Sequence, residues 1–123
     1  MSTEQQSGQF QFYNGNRKTI KAEAQETAMT FLGNPNSKCN ECWVLARAAY
    51  GGNGPLRVKL VNDVGGEVSD EIEIHSSSLA SIKLNNVNIE ASEFAPVLNV
   101  FVKNASTATE SQALIEGVLM KWT

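Results

Sequence analysis

The chain has 123 residues, 41% hydrophobic and 19% charged, with a formal net charge of −3. That length suits one domain with a core of its own, built without metal or disulfide staples. The acidic balance argues against a nucleic-acid partner, which needs clustered Lys and Arg, and no stretch approaches the roughly 20 apolar residues that cross a bilayer.

Residues 1–8 (MSTEQQSG) are polar and predict a flexible N-terminal arm ahead of a single domain over 9–123. The arm lacks the apolar stretch of a signal peptide, so the expected location is the cytoplasm or a virion. Gln9-Phe10-Gln11-Phe12-Tyr13 alternates with the period of two that marks a half-buried strand, and Asn14-Gly15-Asn16 reads as a tight turn. Thr19–Leu32 supports two readings. Ile20, Ala22 and Ala24 alternate as in a strand, whereas Ile20, Ala24, Ala28 and Phe31 have helical spacing; Thr27, Thr30 and the β surroundings favour the strand.

Gly33–Lys38 is a loop by composition, and Trp43–Tyr50 predicts the next strand, ended by Gly51-Gly52-Asn53-Gly54-Pro55. Leu56-Arg57-Val58-Lys59-Leu60 alternates strictly and closes at Asn62–Gly66. Glu71–His75, Ile82–Leu84, Val87–Glu90 and Leu98–Lys103 repeat the pattern about every ten residues. Ala113–Trp122 is a dense apolar run. Thr107-Ala108-Thr109-Glu110 resembles a capping box and offers a helix over 107–121, while Ile115, Gly117 and Val118 favour a strand. About eight strands at this spacing predict an all-β, antiparallel β-sandwich of jelly-roll-like form.

Catalytic and metal-binding sets are thin. Cys39-Asn40-Glu41-Cys42 has the spacing of a zinc knuckle or redox dithiol, but zinc takes about four ligands and the single histidine, His75, is the only other good donor. A thioredoxin-type site needs a βαβ context, so the pair reads as two thiols at a loop–strand junction, bridged or not, with no metal and no cofactor. His75 with Ser76–Ser78 and Asp63 or Asp70 forms no recognisable nucleophile elbow. Glu71 with Glu73, and Glu90 with Glu93, read as solvated charges rather than a carboxylate pair across a cleft. No enzyme is expected.

Strand parity points to a surface instead. Val44, Ala46 and Ala48 share one face of their strand and Trp43, Leu45 and Arg47 the other; Leu98, Val100 and Val102 point in, leaving Asn99, Phe101 and Lys103 out. Trp43, Arg47, Asn99 and Phe101 are therefore the candidate site. An aromatic ring can stack on the apolar face of a sugar while Arg and Asn bond its hydroxyls. The same residue types also suit a contact between subunits.

The succession of pieces from 43 to 122 resembles the galactose-binding-like jelly roll of carbohydrate-binding modules. The likeness lies in Leu56–Val61, the Gly65-Gly66 turn, Ile72–Ile74, a Ser-rich loop, Ile82–Ile89, Ala95–Val102 and the closing Ala113-Leu114-Ile115-Glu116-Gly117-Val118-Leu119. Similar jelly rolls build phage and viral structural proteins. The chain departs from the modules in carrying Ser-Ser-Ser-Leu-Ala-Ser-Ile over 76–82, where they have an aromatic residue, and in lacking their calcium-binding acidic cluster. The resulting expectation is a non-enzymatic assembly protein, a virion component such as a capsid, decoration or fibre subunit, working as a homo-oligomer or with other structural subunits. The alternative is a carbohydrate-binding module with a glycan ligand.

Overall fold

The computed structural model describes residues 8–108 and 112–123. They form nine strands: β1 (Gln9–Ile20), β2 (Gln25–Leu32), β3 (Lys38–Arg47), β4 (Leu56–Asn62), β5 (Ile72–Ile74), β6 (Ala80–Lys83), β7 (Ile89–Glu90), β8 (Val97–Asn104) and β9 (Ala113–Trp122). One sheet runs β1-β9-β3-β6, with β7 added against β3, and the other runs β2-β8-β4-β5. All pairings are antiparallel. Successive strands change sheet at nearly every connection, which is the wiring of a jelly roll, as the strand spacing predicts. Eight strands make the roll and the two-residue β7 is an addition.

The core lies between the sheets. Leu56, Val58 and Leu60 of β4 and Leu98, Val100 and Val102 of β8 face Cys42, Val44 and Ala46 of β3 and Ile115, Val118 and Met120 of β9. Ile115 and Val118 are three residues apart yet both point inward. A register shift opposite Glu116 inserts one extra residue into β9 and resets its phase, which explains the dense apolar run.

Three local expectations change. Asn14-Gly15-Asn16 is not a hairpin turn: β1 runs straight through it as a bulge, with Asn16 and Arg17 at φ of 57° and 51°, and the Asn14 side chain accepting the Asn16 N–H at 2.8 Å. The turn comes later, at Lys21–Ala24, so Thr19–Leu32 divides between the end of β1 and the whole of β2, with no helix. β3 begins at Lys38, which places both cysteines inside a strand rather than at its mouth. The arm assigned to 1–8 lies outside the described residues except for Gly8, as does part of the Thr107–Glu110 capping box; Ala113–Trp122 is a strand.

Trp122 closes one end of the sandwich. It is 2% exposed, its indole N–H donates to the Tyr13 hydroxyl at 3.1 Å, and Tyr13 stacks on Phe31 with ring centroids 4.3 Å apart. Gly33 allows this: a Cβ there would stand 2.6 Å from the indole edge. At the other end, buried Asn104 donates to the Ile20 carbonyl at 3.1 Å and accepts the Ser106 N–H at 3.1 Å, tying the turn after β1 to the end of β8.

Candidate functional site

The outward face of the β1-β9-β3-β6 sheet carries two rows of side chains set by strand register. Phe12, Leu119, Trp43 and Lys83 pair in one row, and Phe10, Lys121 and Glu41 in the next. Residues opposite one another on one sheet face touch, so each row is a contact series. Phe10 and Phe12 remain 57% and 49% exposed. The Phe10 and Trp43 rings lie 6.0 Å apart at 42°. Lys83 Nζ stands 5.6 Å from the Trp43 ring and Lys121 Nζ 5.8 Å from the Phe10 ring, within cation–π range. Glu41 joins them, with Oε1 3.5 Å from Lys83 and Oε2 3.6 Å from Lys121.

Beside this face an open cleft of about 510 Å³ is lined by Asn40, Glu41, Lys83, Asn85 and Asn86, among others. Glu41 and Lys83 belong to both. Chemically, the aromatic pair offers an apolar surface to C–H groups. The cleft offers amide donors and acceptors, one carboxylate and one ammonium to hydroxyls.

The four residues singled out by parity do not come together. Trp43 and Arg47 lie on β3, whereas Asn99 and Phe101 lie on β8 in the other sheet. Each faces outward as the alternation requires, but the core separates the two outer faces, so a single platform of all four does not exist. Arg47 is held elsewhere: it lies 4.5 Å from the Tyr50 ring and donates to the carbonyls of Ala48 and Gln112 at 3.2 and 2.8 Å. Asn99 accepts from the Thr30 hydroxyl at 2.6 Å, and Phe101 lies 5.8 Å from Lys59 Nζ. Phe10, Phe12, Glu41, Lys83 and Lys121 were outside the parity set. Their signal was the Phe10–Phe12 alternation; which strands flank them was not readable.

The Ser76–Ser78, His75 and Asp70 set is not assembled. His75 contacts Glu73 at 3.2 Å, Asp70 accepts from Asn86 at 2.6 Å, and the Ser76 hydroxyl accepts the Ser78 N–H at 3.1 Å within the loop. The Arg57 guanidinium, 3.1 Å from Glu73, and then His75 hold the Glu73 carboxyl below its ordinary range. Among the described residues no three His, Cys, Asp or Glu side chains gather as a metal site.

Cys39 and Cys42 are both buried and unbridged. Residues three apart should face opposite sides of a strand, but a register shift between Cys39 and Glu41 turns both into the core. Burial pushes both thiols up from the ordinary range, Cys42 furthest. Iodoacetamide should therefore leave both unlabelled in the native protein at pH 8 and label both in urea; rapid native labelling would contradict the burial. The unfolded chain ionises its thiols from about pH 8.5 while the fold keeps them protonated, so stability declines as pH rises past that value.

No family model and no curated protein matches the chain. A solved structure, the EclA C-terminal domain, described as a sugar-binding protein, aligns with 100% of this chain and 83% of its own at a TM-score of 0.54 and 16% sequence identity. At that identity the likeness shows the fold.

Proposed function

We propose that this chain is a non-catalytic carbohydrate-binding domain that holds a glycan on the outer face of its β1-β9-β3-β6 sheet. One observation carries the reading: an outward-facing aromatic pair, exposed Phe10 and half-buried Trp43, flanked by lysines that share one carboxylate and opening onto an asparagine-lined cleft. Trp43 and Phe10 stack against the apolar face of a sugar ring, while the asparagine amides of the cleft bond its hydroxyls. The fold shared with a sugar-binding domain supports this reading over the assembly role. Jelly rolls serve both lectins and capsids, so the fold lends this support only beside the aromatic face.

A glycan array with the whole chain tests it. Trp43→Ala should weaken retention about tenfold, the loss of one stacking contact worth about 1–1.5 kcal/mol. Phe101→Ala, on the opposite outer face, should leave retention as it was. The exposed Phe10 and Phe12 also suit a subunit contact. If Trp43→Ala instead lowers the solution mass by light scattering and no glycan is retained, the face is an interface between copies and the glycan reading falls.

A further inference from the structure

We infer that the glycan carries a carboxylate, as a uronic acid does, and that Lys83 and Lys121 receive it; this rests on the glycan-binding reading above. The chain is net acidic, yet its aromatic rows place two ammonium groups around one anion. Those groups stand 3.5 and 3.6 Å from opposite oxygens of Glu41, beyond the ~2.7–2.9 Å of a tight charge-assisted hydrogen bond. Glu41 is thus shared loosely between the lysines, and the three side chains together keep one net positive charge for a second anion. An ammonium has three donors, so each lysine keeps capacity for a second anion. Both also lie within cation–π distance of the rings on which a sugar would stack, so ring and carboxylate can be met together.

The Lys121 stem crosses Gly8, where a Cβ would stand 2.5 Å from its Cε. At the cleft the balance differs: Asp70 reaches it by accepting from Asn86 at 2.6 Å. Lys83 stands where the aromatic rows meet the cleft, so a carboxylate held there leaves the cleft amides for hydroxyls.

The test is an array of uronic-acid oligosaccharides, each printed beside its methyl ester, which keeps the sugar and removes the charge. The acids should be retained about tenfold more tightly than the esters, the difference expected of a charged hydrogen bond, and the preference should shrink as salt is raised. Lys83→Met or Lys121→Met should erode the acid-over-ester ratio. Glu41→Gln, which leaves both lysines unshared, should tighten the acids several-fold. Equal retention of acid and ester, both lost in Trp43→Ala, would overturn the carboxylate assignment and leave the glycan reading standing, as would a Glu41→Gln variant that binds acids more weakly. Retention of no glycan at all would overturn both.

Discussion

Trp122→Ala should lower the unfolding free energy by about 3–5 kcal/mol, the cost of emptying a fully packed aromatic site. The indole fills the end of the sandwich beside Gly33 and Pro96, so its removal leaves a void that the rigid strand ends cannot close. It also strips the Tyr13 hydroxyl of its hydrogen-bond donor. Burial already pushes the Tyr13 phenol up from its ordinary range, the mark of a polar group in poorly solvated surroundings. A domain of this size has only about 5–15 kcal/mol in hand, so the variant should sit close to unfolding at room temperature. Trp122→Phe keeps most of the volume and loses the N–H, and should cost about 1–2 kcal/mol. Urea titration of both variants checks the pair. A Trp122→Ala midpoint near that of the parent would mean that the end of the sandwich is not closed as described.

Gly117→Val should be destabilising by about 2–3 kcal/mol through overpacking. Gly117 lies opposite Asn14 on one side and Leu45 on the other, in the middle of the sheet. A Cβ at this position would stand 2.6 Å from the Tyr13 carbonyl oxygen and would press into the Phe12 ring. The ring can swing away, but the carbonyl belongs to the neighbouring strand's backbone. Phe12→Ala in the same chain should therefore recover only part of the loss, and a double-mutant cycle separates the two contributions. Full recovery would show that the ring alone opposed the side chain.

The in-or-out alternation was plain in the sequence where strands are regular. Leu56, Val58 and Leu60, and Leu98, Val100 and Val102, face the core as their spacing requires. Legibility fails at the bulges. The shifts near Asn40, at Asn14–Lys18 and opposite Glu116 each change the phase of a strand, and no turn residue or charge marks in advance which residue is the extra one. They turn a supposed hairpin into a continuous strand and bring two cysteines to one face. Strand order is the deeper gap. A period of two says which side of a sheet a residue takes, never which sheet, so Trp43 and Phe101 looked equivalent although they stand on opposite faces of the molecule. The partners of Trp43 come from Gln9–Ile20, Ala80–Lys83 and Ala113–Trp122, remote in the chain and joined only by the roll's wiring.

The placement of β9 between β1 and β3 has a kinetic meaning. β1 precedes every other strand of the roll in the chain and β9 follows them all, and among the described residues β1 has no other neighbour in its sheet. Until Ala113–Trp122 emerges, the nascent protein carries two unsatisfied strand edges with Phe10 and Phe12 beside one of them, an invitation to intermolecular pairing. Contacts so distant along the chain also make the search slow. This sheet is therefore completed last, and the aromatic rows come into register only when the final strand of the roll slides home.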